Sequence, residues 1–409
     1  MRWARPVKRA FAVLLGSGAM MRVVPTVLLP ALAAVLGACA FHWEPAFDEA
    51  AAPGAFDDVA IADPAEALTF ARTQRDGVPH LLAVRGYRQG TIDAVDLSAV
   101  HGRPVAGVAA LFREQGYDAL ARAIAGAAAE HLVSLPAAEL VAPLDLGAAH
   151  VAAGTNYPEH AGEAGVQEGP FLFAKRVAPT RPDAPVSAGD GLLDYEVEVA
   201  LVPLAPIRAG DEPAHVGLVL VNDYTDRATL LRHIDPLDVA SGKGFTTGKS
   251  FPGYMPVGNL LVVPRDFRTF VPELQLELYV NGRLRQRERG GAMIWDPAEL
   301  LRQTFARAGL RWQHRGAEVS LLGDGDALDE DMLLLTGTPH GTVFAGVSTA
   351  QKLRGAARWV LGGFRGSVGD GVVETYIDDA RAAGIFLAPD DEVVVRVDRL
   401  GVIRNRVTS

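Results

Sequence analysis

Leu192-Leu193-Asp194-Tyr195-Glu196-Val197-Glu198-Val199-Ala200-Leu201 alternates apolar and acidic residues from Leu193 to Val199. In a strand, alternate residues share a face. One face then carries Leu193, Tyr195, Val197, Val199 and Leu201, and the other Asp194, Glu196 and Glu198. Three carboxylates in a row repel one another. A hard divalent cation such as Mg²⁺ or Ca²⁺, which prefers oxygen ligands, is one way to relieve that repulsion. The other is solvation of a half-exposed strand, the reading that Glu273-Leu274-Gln275-Leu276-Glu277 invites with the same alternation.

Outward from this strand the texture is uniform over residues 141–409: apolar runs of five to eight residues between Gly/Pro turns. Gly217 to Val221, Leu260 to Val263, Leu274 to Val280 and Glu392 to Val397 read as strands. Asn281-Gly282 after Tyr279-Val280 is a hairpin signal, because both residues tolerate positive φ. Pro297 to Ala308 reads as a helix. The pattern predicts a β-rich α+β domain. Residues 66–140, with a strand-like run at His80 to Val84 and an Ala-rich helical one from Tyr117 to Leu132, read as a smaller N-terminal α/β region carrying no chemistry. There is no repeat, no P-loop and no dinucleotide fingerprint.

The 409-residue chain has 39 basic and 49 acidic residues, a net charge of −10, and 49% hydrophobic residues. That profile is globular. The acidic balance excludes a nucleic-acid binder that would meet phosphates with a basic face. The single cysteine, Cys39, excludes an internal disulfide framework and a cysteine zinc cluster.

The segments around the acidic strand resemble, in order, the motifs of the fumarylacetoacetate hydrolase family. Gly154-Thr155-Asn156-Tyr157-Pro158-Glu159-His160-Ala161-Gly162-Glu163 is similar to its "G-x-N-Y-x-x-H-x-x-E". Pro170 to Lys175 resembles "P-x-x-F-x-K", and Tyr195 to Glu198 the metal strand "x-E-x-E". Val221 to Arg227 resembles "x-N-D-x-S-A-R", and Gly248 to Phe251 with Pro256-Val257-Gly258 the "K-S-F" segment. Val280-Asn281-Gly282 with Gln286, Thr336 to Gly341 ("x-G-T-P-x-G") and Phe386 to Asn405 complete the set. There are departures. Arg227-Ala228-Thr229-Leu230 replaces the family's "R-D-x-Q", Asp390-Asp391 its closing "G-D", and an apparent insertion occupies about 344–384.

The resemblance implies a mixed β-sandwich roll with the site at one end. It implies a divalent ion (Mg²⁺, Mn²⁺ or Ca²⁺) held by Glu196, Glu198 and Asp223. It further implies a small-molecule 2-oxo acid or 1,3-dicarbonyl substrate, such as an acylpyruvate or fumarylacetoacetate, and a homodimer. Such an ion polarises both substrate oxygens and stabilises the enolate left by C–C cleavage. His160 and Glu163, three apart, share one face of a helical turn; the histidine is then the base that activates water and the glutamate orients it. Lys249 is assigned to the developing oxyanion, and Lys175, Arg227 and Thr338 to substrate oxygens. The leading expectation is a metal-dependent C–C bond hydrolase. Alternatives are a lyase on the same scaffold, an oxaloacetate decarboxylase or hydratase, and a non-catalytic exported binding protein.

The N-terminus carries a different signal. Residues 1–38 contain Arg2, Arg5, Lys8, Arg9 and Arg22 and no acid, and end in a short apolar run from Val23. Without those five the rest holds 34 basic against 49 acidic residues, a charge of −15. About 16 apolar residues are fewer than the roughly 20 of a membrane span, so the segment reads as an export signal. Leu36-Gly37-Ala38-Cys39 resembles the lipobox of bacterial lipoproteins, which implies acylation of Cys39 and a periplasmic, lipid-anchored protein. The neutral Ala40 after the cysteine favours the outer over the inner membrane. Residues 39–65, rich in Ala, Pro and Asp, read as a tether. Within the insertion, Leu353, Ala356, Ala357, Val360 and Phe364 fall at helical spacing among Lys352, Arg354, Arg358 and Arg365. That segment either packs on its own domain or a partner subunit, or forms part of a lid over the site, or lies on an anionic membrane.

Overall fold

The computed structural model describes residues 43–105, 107–164 and 169–409. The export segment, Cys39 and the first part of the tether lie outside the described residues. Two compact units emerge: residues 43–346 with 377–409, and the segment 347–376.

In the larger unit the chain begins with a meander, β1 (Ala67–Arg75), β2 (Val78–Arg88) and β3 (Thr91–Asp96). A helix, Val108–Ala125, follows; it is broken at Gly116, whose φ of 72° no helix accommodates, and ends at Gly126. It therefore starts earlier and stops sooner than the Tyr117 to Leu132 run suggested. Leu132 already begins β4 (Leu132–Pro136), followed by β5 (Leu140–Val141) and β6 (Ala149–Gly154). Then come helix Pro158–Ala164, β7 (Phe171–Arg176), β8 (Val186–Ser187), β9 (Leu193–Asp194), β10 (Val197–Pro203), β11 (Val216–Asn222), β12 (Thr225–Asp226) and β13 (Leu261–Pro264). The hairpin β14 (Gln275–Val280) and β15 (Arg283–Arg289) turns at Asn281 and Gly282, both at positive φ (51° and 72°), as the dipeptide demanded. Helix Pro297–Ala306 starts on Asp296, whose carboxylate accepts from Glu299 N at 2.8 Å, with proline in the first turn. The series closes with β16 (Arg311–His314), β17 (Ala317–Ser320), β18 (Leu334–Leu335), β19 (Glu392–Val397) and β20 (Gly401–Thr408).

The main sheet runs β4-β3-β2-β1-β13-β11-β10-β18-β6-β7, with β5 on β1. The strands of residues 66–140 thus continue the sheet that carries the later motifs. A second sheet, β15-β14-β19-β20-β8, lies against β10 and β11, giving the sandwich. β11 and β13 are buried along their whole length, which is why both read as unbroken apolar runs rather than alternating ones. Each Val or Leu buried there contributes roughly 1.5–3 kcal/mol.

The run Leu192 to Leu201 is not one strand. Its first part, β9, pairs with β12, and its second, β10, joins the main sheet. The break falls at Tyr195-Glu196, where Glu196 N donates to the Asn222 side chain (3.1 Å). Part of the predicted tether is laid along β15: Ala51 N donates to Gly282 O, Asp48 pairs with Arg283 and Arg285, and Phe47, Ala51 and Phe56 pack beside Tyr279 and Leu284.

Segment 347–376 holds helix Thr349–Leu361, opened by a Ser348/Gln351 capping box, and most of helix Val368–Ala383. Trp359 and Phe364 meet edge to face at 4.8 Å. Leu353, Val360, Leu361 and Phe364 are exposed. Among the described residues no helix is long and apolar enough to cross a membrane.

Candidate active site

The antiparallel register of β10 on β11 pairs Val197 with Asn222. Glu196, one residue before β10, therefore comes opposite Asp223, one residue after β11, and Asp223 N donates to Glu196 O at 2.9 Å. Glu198 points to the same side two residues on. Glu196, Glu198 and Asp223 each bring a carboxylate oxygen within 4.8 Å of the others, and all three are buried. Asp194, the first carboxylate of the acidic face, is not in this group. It accepts from Tyr195 N, Arg227 Nε, Val343 N and Phe344 N instead.

Three cations surround the cluster. Lys249, at the end of helix Phe245–Lys249, donates to Glu196 Oε2 (2.7 Å) and Asp223 Oδ2 (2.9 Å). Lys175 on β7 donates to Asp223 Oδ1 and to Lys249 O. Arg227, opening helix Arg227–His233, bridges Glu196 Oε1 (2.6 Å) and Asp194 Oδ2 (2.8 Å). Four carboxylates, counting Asp194, thus face three cations. The deficit falls on Glu198. Its Oε2 accepts from Gly337 N at 2.7 Å, but its buried Oε1 has no partner among the described residues. Burial, then the charges of Asp223 and Glu196, push the Glu198 carboxyl well above the usual range. Burial pushes Glu196 the same way, but Lys249 and Arg227 outweigh it and hold that group at about 2. Burial lowers Lys175 against the pull of Asp223, whereas Asp223 and Glu196 raise Lys249 despite burial. A buried carboxyl oxygen with no donor, whose ionisation is disfavoured by two further carboxylates, fits a site that a divalent cation would complete.

The loop after β18 closes one side. β18 pairs with β10, so Thr336 N donates to Val199 O (3.0 Å) and Thr338 Oγ1 to Val197 O (3.0 Å). Gln286 ties the same loop to β15: its Nε2 donates to Thr338 Oγ1 (3.0 Å) and Pro339 O (2.7 Å), and its Oε1 accepts from Val197 N (3.0 Å). Asn156 donates to Trp295 O and Thr336 O and accepts from Trp295 N. Sequence reading quoted Asn156 and Gln286 only as motif letters; their work is to hold backbone, which has no local sequence signal.

His160 and Glu163 lie on helix Pro158–Ala164, with Nδ1 and Oε2 3.5 Å apart, a long contact. Both Glu163 oxygens accept from Gly341 N at 3.0 Å, so the helix and the Thr338 loop are coupled. His160 is near enough to Glu196 to help lower that carboxyl. The structure brings together the three carboxylates, both lysines and Arg227, with Thr338 and the His–Glu pair tied in through Val197, Gln286 and Gly341, whereas Cys39 lies outside the described residues. Lys175, Arg227 and Thr338, expected on substrate oxygens, are engaged here by Asp223, by Glu196 and Asp194, and by Val197 and Gln286.

Comparison with known proteins agrees with this geometry. The family described as fumarylacetoacetate (FAA) hydrolase, C-terminal, matches residues 149–408. An oxaloacetate tautomerase of Bacillus subtilis is 31% identical over 224 residues, 51% of this chain and 65% of that protein, a little under two thirds of its length. A mitochondrial oxaloacetate tautomerase of Bos taurus is 27% identical over 312 residues, 72% of this chain and 78% of that one. Among solved structures, the fumarylacetoacetate hydrolase of Exiguobacterium antarcticum superposes with a TM-score of 0.51 at 20% identity, covering 84% of this chain and 99% of that one. The sheet order, the carboxylate cluster and this match over most of the chain lead to one assignment: the protein belongs to the fumarylacetoacetate hydrolase family of enzymes.

Proposed function

We propose that this protein is a divalent-metal-dependent enzyme that hydrolyses a C–C bond in a 2-oxo acid or 1,3-dicarbonyl substrate. The observation that carries the reading is the buried Oε1 of Glu198, without a partner among the described residues, in a carboxylate cluster that Lys249 contacts directly and whose Glu196 feels the charge of His160. Glu196, Glu198 and Asp223 hold the ion, which supplies Lewis-acid polarisation of the substrate's oxo groups. His160 takes a proton from water and returns it to the carbon of the departing enolate, and Glu163, fixed by Gly341 N–H, stabilises the imidazolium in between. Lys249 offers positive charge to the oxyanion that develops as the bond breaks. Lys175 and Arg227 brace Asp223 and Glu196, and Thr338 lines the substrate side.

A second reading is chemistry on oxaloacetate by the same site: tautomerisation, favoured by the names of the two relatives above, or decarboxylation through the same enolate. It needs the same base and oxyanion support without attack by water. The test is turnover of an acylpyruvate and oxaloacetate panel with Mg²⁺ or Mn²⁺ and after chelation. Two carbon fragments from an acylpyruvate support hydrolysis. Enol–keto exchange or CO₂ release from oxaloacetate, with acylpyruvates untouched, replaces it with the second reading. We further propose a homodimer, and attachment to the periplasmic face of an envelope membrane, the outer more than the inner, through lipid on Cys39.

A further inference from the structure

Beside the His160–Glu163 pair lies a second group of metal-ligating side chains that the proposed reaction does not use. Glu159, Glu288 and His340 each bring one ligand-capable atom within 4.8 Å of the others. They come from three separate pieces of chain: the first turn of helix Pro158–Ala164, strand β15 and the loop after Thr338. His340 and Glu288 are half-buried and Glu159 is exposed; the Nδ1 of His340 is shielded from solvent and has no hydrogen-bond partner among the described residues. Its ring stands 5.2 Å from that of Phe47, which restricts its rotation. The carboxylates have no cation of their own among the described residues. Among the described residues the Glu288 carboxylate accepts from Arg289 N alone (2.8 Å), and the neighbouring arginines turn away, Arg287 to Glu49 and Glu277, Arg289 to Glu273.

We propose that Glu159, Glu288 and His340 form a second divalent-metal site. One imidazole nitrogen and two carboxylates form a donor set for Zn²⁺ or another late first-row ion, in contrast to the all-oxygen cluster of Glu196, Glu198 and Asp223. Its place gives it a positioning role. Glu159 directly precedes His160, and His340 directly precedes Gly341, whose N–H holds Glu163. An ion at this site ties the helix that carries the base to the loop that orients it.

The test is calorimetric titration of the full chain with Zn²⁺ in saturating Mg²⁺, with Glu198→Gln as a parallel background that disables the first cluster. The expected result is one equivalent of Zn²⁺ in both backgrounds. His340→Ala and the double substitution Glu159→Gln/Glu288→Gln should each bind it at least ten-fold more weakly, with unchanged circular dichroism. In the wild-type background Co²⁺ should give a visible spectrum that His340→Ala removes. Absence of Zn²⁺ binding in Mg²⁺, its loss in the Glu198→Gln background, or unaltered affinity in either set of variants overturns the proposal.

Discussion

At Glu198 a single oxygen atom separates two opposite expectations. With no ion, the buried carboxylate is costly; with an ion, it is a ligand. Its folded pKa is raised, so the charged form costs stability above the unfolded value of 4.5, and the cost grows as pH rises towards the folded pKa. Glu198→Gln keeps a carbonyl oxygen for Gly337 N and removes the charge. In chelator-treated protein at neutral pH it should raise stability by about 1–3 kcal/mol, the scale of an unsatisfied buried group. The gain should fade below pH 4.5. With Mn²⁺ present the order should reverse, because the variant binds the ion poorly; melting with and without Mn²⁺ measures both. If Mn²⁺ raises the stability of wild type no more than that of Glu198→Gln, the cluster does not hold an ion. His160→Ala should lower kcat by roughly 10²–10⁴ with little change in Mn²⁺ affinity, the scale of general acid–base catalysis. A rate within a few-fold of wild type would remove His160 from the mechanism. Residue types and spacing were enough to single out these groups. They were not enough to exclude Asp194, which shares their alternation but is consumed by Arg227 and backbone donors.

Two elements depend on glycines whose reasons are tertiary. Gly341 has φ of 99°, and a Cβ there would stand 2.0 Å from Arg285 O. Gly341→Ala should therefore shift the Thr338 loop, cost about 2–4 kcal/mol, and lower kcat by releasing Glu163. Urea unfolding together with steady-state kinetics checks this; loss of stability with kcat intact would separate the loop from the base. In helix Thr349–Leu361, Gly355 reads from sequence as a weak point, about 1 kcal/mol worse than Ala. In the structure it is the crossing point with helix Val368–Ala383, where an added Cβ would lie 2.4 Å from Val372 Cα. Gly355→Ala should thus destabilise the segment by about 1–3 kcal/mol despite the better propensity. Amide exchange over residues 349–376 should speed up; slower exchange would mean that propensity wins. Helix propensity is local and visible in sequence, whereas the approach of a second helix is not.

For the molecule as a whole, His150 sets a pH limit. It is fully buried on β6, and its Nδ1 accepts from Leu333 N (3.1 Å). Burial, then Lys175 and Arg176, lower its pKa from 6.5 to about 3. The unfolded chain protonates below 6.5 and the folded one does not, so this stability is present above 6.5 and lost as pH falls. Between pH 7 and 5 the loss should be ~2 kcal/mol, and His150→Asn should lose correspondingly less over that interval in urea titrations. Equal losses would show that another group governs acid unfolding. For the anchor, wild type should partition into detergent with the membrane fraction and Cys39→Ser should not; wild type recovered in the soluble cytoplasm would exclude the anchor. Local spacing and backbone preference are written in the sequence by itself: the apolar runs of the main strands, the Asn281-Gly282 turn, the helix from Pro297, the carboxylates Glu196 and Glu198 two apart, and His160 and Glu163 on one helical turn. Only the tertiary structure split Leu192 to Leu201 between two sheets and laid the Phe47 to Phe56 stretch along β15. It alone turned Lys175 and Arg227 onto the carboxylates and brought Glu159, Glu288 and His340 together. Each of those outcomes depends on which distant segments become neighbours, and that is decided by the closing of the sheets around a shared core, not by any short-range pattern in the chain.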